Sequence, residues 1–101
     1  MIDVIASIRL RPGRRNEFLA ILSANVPDVL AEDGCVDYYP AVDVDSGVAV
    51  QEKDADGVTV VEKWRDVPAL KAHLKAPHML AYRAKVADMV EGVSLKVVQR
   101  V

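Results

Sequence analysis

From Ile2 to Leu10 apolar side chains fall on every even position (Ile2, Val4, Ala6, Ile8, Leu10), while Asp3, Ser7 and Arg9 fall on odd ones. A two-residue period of this kind is a strand with one buried face. After Pro12-Gly13 the spacing changes to three and four, through Phe18, Ile21, Leu22, Val26, Val29 and Leu30, which is the pattern of an amphipathic helix. A half-buried strand followed by a one-sided helix must pack the one on the other, so the chain belongs among the layered α and β architectures.

Pro27 falls inside the helical stretch, where it cannot donate to the residue four before it, and a kink is expected there. Glu32-Asp33-Gly34 closes the helix, with Gly34 suited to a left-handed conformation. Cys35 to Val42 reads as a second strand, and Pro40, lacking an amide donor, places it at a sheet edge or at a bulge. Turn signals at Asp45-Ser46-Gly47 and Asp54-Ala55-Asp56-Gly57 bracket an excursion over 43–57 that is partly extended and long enough to fold over a pocket as a lid. Val58 to Arg65 is a third strand. Asp66 can cap a helix carrying Val67, Leu70 and Leu74 inward, and Pro77 begins another containing Leu80, Ala84, Ala87 and Val90. Gly92 ends that helix, and Val93, Leu95 and Val97 alternate with Ser94 and Lys96 in a last strand. The order β-α-β-β-α-β predicts one domain over residues 1–101: an α+β, ferredoxin-like fold with a four-stranded antiparallel sheet and helices on one face.

Several function classes are disfavoured at once. A formal charge of −2, with Lys and Arg dispersed among acids, provides no basic field for nucleic acid. Cys35 is the sole cysteine, so neither an intrachain disulfide nor a cysteine metal site can form, and a reducing cytoplasm is expected. No apolar run approaches the roughly 18 residues of a membrane span. The glycines are isolated turn or cap residues rather than a phosphate-binding loop, which argues against a bound nucleotide or flavin.

Phasing the strands gives an apolar face with Val4, Ala6, Ile8, Val58, Val60, Trp64, Val93, Leu95 and Val97, expected under the helices. The other face has Ile5, Val61 and Val98 at its centre and Arg9, Lys63, Lys96 and Arg100 around them. A homodimer joined through these sheet faces is expected, with an ordinary solvated sheet as the alternative. Glu62 is out of place, because it shares the apolar phase with Val60 and Trp64. A buried carboxyl must find partners or hold its proton more tightly, unless a bulge turns Glu62 outward.

The other chemically useful side chains follow closely. His73 borders the apolar stripe of its helix and can act as a base near neutral pH. His78 and Tyr82 are neighbours on one helix face, and the phase of the second strand turns Tyr38, rather than Tyr39, toward the helices. Trp64 is first a core residue and second a pocket wall. A metal site of Glu62, His73 and His78 is disfavoured, since histidines five apart point to different sides of a helix unless a break at Pro77 reunites them.

In these residues the chain resembles the antibiotic biosynthesis monooxygenase family. The resemblance lies in an ordered set: Arg11-Pro12-Gly13 before a helix with Phe18, Glu32-Asp33-Gly34-Cys35 followed by Tyr38, Val61-Glu62-Lys63-Trp64, Ala69-Leu70-Lys71-Ala72-His73, and Ala76-Pro77-His78-Met79 with Tyr82. It implies a dimeric α+β barrel, with a pocket between each sheet and its own helices. It leaves the reaction open, because members include oxygenases, isomerases and heme-degrading enzymes. The heme-degrading branch is disfavoured, since Ser7 stands where its first-strand asparagine would be and no histidine follows His78.

The resemblance favours a cofactor-independent monooxygenase that oxidises a quinol or polyphenolic aromatic with molecular oxygen. His73 would be the base, Glu62 would orient it or relay its proton, and Trp64, Tyr38, His78 and Tyr82 would bind substrate. Two alternatives share the same fold: a small-metabolite isomerase using a His/Glu acid-base pair, with Lys63, Lys71 or Arg83 as cation, and a non-catalytic dimeric binding domain.

Overall fold

The computed structural model describes all 101 residues. Seven elements run in the order β1 (Ile2–Leu10), α1 (Arg15–Leu30), β2 (Cys35–Ala41), β3 (Gly57–Trp64), α2 (Val67–Lys75), α3 (Pro77–Val86) and β4 (Val90–Val98). The strands form one antiparallel sheet in the order β2-β3-β1-β4. This is the expected ferredoxin-like α+β arrangement. The first strand lies inside the sheet because both its edges are paired, opposite β3 from Ile2 to Arg9 and opposite β4 from Asp3 to Leu10. Pro40 sits in β2, at the sheet edge, where a missing amide costs no ladder bond.

Each helix begins where the chain chemistry allows it. Asp66 accepts from the backbone N–H of Ala69 at 2.9 Å and caps α2. Ala76 is extended, with φ −60° and ψ 138°, and so ends α2, while Pro77 starts α3. The 43–57 excursion holds no strand before Gly57 and is tied together by side chains, with Asp43 accepting from the N–H of Asp54 and Asp56 from that of Gly13. No helix is long and apolar enough to cross a membrane.

The core lies between the helices and the even-numbered face of β1 and β3. Val4, Val58, Val60 and Trp64 are buried there against Phe18, Leu22 and Val29 of α1 and Leu70 of α2. Three expectations need correction. Val67, Leu74, Leu80 and Ala84 are exposed, and α2 and α3 instead turn Ala69, Leu70, His73, Met79, Tyr82 and Val86 inward. The helices are too short to average out a one-residue error of phase, and the polar His73 takes a core position that apolar counting assigns to Leu74. Secondly, α3 ends at Val86, and Gly92 lies within β4 opposite Arg9, so it does not terminate the helix.

The third correction concerns β4. Val93, Leu95 and Val97 pair opposite Ile8, Ala6 and Val4 and so share their face, yet they are 62%, 47% and 47% exposed. The helices pack over β2 and β3 and stop short of β4. Periodicity assigns a residue to a face, but only the lateral extent of the helical layer decides whether that face is covered.

Gly34 joins the two layers. Its φ is +86°, and a Cβ there would stand 2.6 Å from the Cβ of Ala69 in α2. Gly34→Ala is therefore expected to cost about 2–4 kcal/mol, from left-handed strain and overpacking together. Gly47→Ala, at φ +74° with nothing within 4 Å of the added carbon, should cost only the strain. Thermal unfolding of both variants separates the two contributions, and equal losses would show that the Gly34–Ala69 approach does not matter.

Candidate active site

Between the sheet and α2–α3, on the side that β4 leaves open, is a cavity of about 490 Å³, large enough for a one- or two-ring aromatic. Ala6, Ile8, Val60, Met79 and Val86 supply apolar wall, and Tyr38, Glu62, His73, Tyr82 and Arg83 supply the polar groups. A polar cleft of about 440 Å³ also lies beside Ser7, Arg9, Asp43, Glu52 and Lys53, but neither histidine borders it.

Glu62 lies on the helix-side face. It pairs in register with Val4 on one side and Tyr38 on the other, so no bulge turns it outward, and it is 6% exposed. The indole N–H of Trp64 donates to its Oε1 at 2.9 Å. Two residues apart on one strand face, the side chains meet directly. Burial pushes the carboxyl up to about 7, the indole bond works against that rise, and the charge of Glu32 adds to it.

His73 is 2% exposed. Its ring lies 4.6 Å from that of Trp64 and 5.6 Å, edge to face, from that of Tyr38. Its Nδ1 is 2.7 Å from Oε2 of Glu32. A carboxylate can only accept, so Nδ1 carries the hydrogen and Nε2 is left as the basic nitrogen. Burial lowers the affinity of His73 for a second proton, and Glu32 partly restores it.

This geometry corrects the expected His73–Glu62 pair. The carboxylate on His73 is Glu32, in the turn after α1, and the partner of Glu62 is Trp64. A signal for Glu32 was present in the sequence. An anion just past a helix C-terminus faces the negative end of the helix dipole, so its presence there calls for a cationic or hydrogen-bonding partner from elsewhere in the fold.

Tyr38 and Tyr82 reach the cavity as expected. Trp64, fully buried, lies behind His73 rather than on the wall. His78 does not line this cavity. It borders a groove of about 260 Å³ between α1 and α3, with Nδ1 3.2 Å from Oδ1 of Asn25 and Nε2 3.2 Å from the same Glu32 oxygen that His73 contacts. The break at Ala76–Pro77 swings the two histidines around so that both reach one carboxylate.

The fold and the cavity together define a ferredoxin-like α+β protein with an imidazole and a carboxyl presented to one apolar pocket. The chain belongs to the antibiotic biosynthesis monooxygenase family, which it matches over residues 1–85. It is 40% identical over 101 residues to the probable quinol monooxygenase YgiN of Escherichia coli (strain K12), covering 98% of this chain and 97% of that protein. Among solved structures it resembles Rv0793 from Mycobacterium tuberculosis, with a TM-score of 0.81 at 30% identity over 99% of this chain and 94% of that one. PA3566 from Pseudomonas aeruginosa superposes with a TM-score of 0.82 at 26% identity, covering 99% of this chain and 93% of that one. These relatives support a monooxygenase-type function.

The shift of Glu62 has a consequence for stability. The folded protein holds this proton more tightly than the unfolded chain, so ionisation between the ordinary value of 4.5 and about 7 works against folding. The penalty is absent below that window and fully present above it, at roughly 3 kcal/mol. Glu62→Gln keeps an acceptor for the indole and removes the charge. It should match the native melting temperature below about pH 4 and exceed it by several degrees above about pH 8, and an equal offset at both values would mean that Glu62 is not buried in its charged form.

Proposed function

We propose that this protein is a cofactor-independent monooxygenase acting on a quinol or polyphenolic aromatic at the cavity beneath α2 and α3. One observation carries the reading: His73 presents a basic nitrogen to an apolar, ring-sized cavity while Glu32 holds its other nitrogen. A phenolate is electron-rich enough to reduce dioxygen directly. The protein then needs only to take the phenolic proton, exclude water and orient the ring. His73 takes the proton, and Glu62, which is neutral over much of the range below pH 7, donates to a substrate oxygen. Tyr38 and Tyr82 bind at the rim. For a hydroquinone the balance is one dioxygen consumed, one oxygen atom placed on a ring carbon to give a hydroxyquinone, and the other released as water. The name carried by the Escherichia coli relative points to the same substrate class. Isomerase chemistry would call for a free cation at the site, whereas Arg83, which does line the cavity, is bonded to the carbonyls of Leu74 and Met79.

In this reading the protein works as a homodimer joined through the open sheet faces. Tyr39, Val61 and Ile5 form one row across that face in register, and Tyr39 is 46% exposed there. A monomeric mass by light scattering at micromolar concentration would overturn the dimer.

Oxygen uptake with a panel of reduced benzo- and naphthoquinones tests the activity. At least one quinol should consume oxygen above the buffer rate, and His73→Ala should lower kcat on the order of a hundredfold. Glu62→Gln should act mainly on KM. Uptake indistinguishable from buffer for every quinol refutes the reading, and full activity in both variants refutes the residue roles.

A further inference from the structure

Polar side chains ordinarily stay at a wet rim, and apolar ones withdraw from it. The cavity beneath α2 and α3 is graded the other way. Its hydrogen-bonding groups Tyr38, Glu62, His73 and Tyr82 are buried, whereas Ala87, Val93 and Leu95 line it and are exposed, and so form its mouth. Arg83 is the one charged side chain among the exposed lining residues, and its guanidinium is held by the carbonyls of Leu74 and Met79.

The strand order sets the two ends apart. Tyr38 and Glu62 stand on β2 and β3, while Val93 and Leu95 stand on β4, at the far side of the sheet. From β2 to β4 is three strand spacings, about 14 Å, which is longer than a single aromatic ring. Across that distance β1 supplies only Ala6 and Ile8 to the lining. Beyond the lining, Val97 follows Leu95 on the same face of β4 and is itself half-exposed. Val93, Leu95 and Val97 therefore make an apolar track of roughly 13 Å that starts inside the cavity and continues outside it.

We propose that the quinol taken by this cavity is amphipathic, a hydroxylated ring carrying an alkyl or prenyl tail. The ring oxygens lie at Tyr38, Glu62 and His73, and the tail leaves through the mouth along Val93, Leu95 and Val97. This rests on the reading of the cavity as a quinol site. The tail takes no part in the oxidation. It stabilises the complex by removing the track from water, and it makes the ring enter with its hydroxyl end toward His73. A short polar substrate would leave the track wet, whereas an exposed apolar strip that runs into a pocket marks a ligand groove. In the proposed dimer the second copy lies against the opposite face of the sheet, so this strip stays open to the tail.

Oxygen uptake tests the assignment with one benzoquinol ring bearing hydrogen, butyl or decyl at the same position, each kept below the concentration at which it aggregates. For a tail with one side still wet, kcat/KM should rise roughly twofold per methylene, so the butyl compound should exceed the parent by on the order of tenfold. Val97→Glu should cut the decyl-to-parent ratio several-fold, and Val97→Leu should preserve it. A ratio near one in the native protein overturns the proposal, as does a ratio that Val97→Glu leaves unchanged. So does a lower particle mass of Val97→Glu by light scattering, which would make the strip a contact between copies. Co-sedimentation of the native protein with phosphatidylcholine vesicles in the absence of quinone would make it a lipid surface, and would equally overturn the tail assignment. Independently of turnover, dissociation constants of the three oxidised quinones, read by quenching of the single tryptophan, Trp64, should fall in the same order. If no quinol consumes oxygen, the monooxygenase reading falls, and these constants alone decide whether the track holds a tail.

Discussion

The 2.7 Å contact between His73 and Glu32 is the interaction on which the site depends. It spans 41 residues of sequence and ties the last turn of α2 to the turn that follows α1. A hydrogen bond to a charged group is worth about 1.5–3 kcal/mol, and this one also satisfies two polar groups that would otherwise be costly to bury. It sets the tautomer of the imidazole, and Trp64 and Tyr38 fix the ring plane from two sides. In the proposed mechanism this places the base against an apolar cavity before any ligand arrives, which is the preorganisation such chemistry needs.

The cavity itself comes from a mismatch of layers. Four strands present an apolar face, but the helices pack over β2 and β3 and leave the strip on β4 open, while the even face of β1 between them is buried along its length. The uncovered strip of β4 would be a liability on a plain scaffold, since Val93, Leu95 and Val97 remain largely exposed. Here two of those residues, Val93 and Leu95, form one wall of the cavity. The same incomplete cover explains why Glu62, deep under the helices, still reaches a pocket through which a ligand can approach.

Burial acts on the two titrating groups in opposite directions. It raises the carboxyl of Glu62 to about 7 and lowers the imidazole of His73, because in both cases low polarity disfavours the charged form. One cavity therefore holds a neutral base and, below about neutral pH, a neutral acid. Environments that pull paired groups toward complementary protonation states are a recurrent mark of acid-base sites. Glu32, closer to solvent, is the carboxyl to which both histidines are directed.

Much of this protein is legible in its residues alone. The even-position alternation of β1, the capping Asp66, Pro77 at a helix start and Pro40 at an edge each follow from local backbone chemistry, and together they give the ferredoxin-like order. The burial of Glu62 follows as well, since phase along an unbroken strand is a local property. Other features depended on tertiary structure. Which short-helix residues turn inward, that β4 lies beyond the helical layer, that His73 meets Glu32 rather than Glu62, and that His78 belongs to a different groove all depend on the lateral placement of elements far apart in sequence. Periodicity specifies the direction in which a side chain points; only the packed layers specify what it meets there.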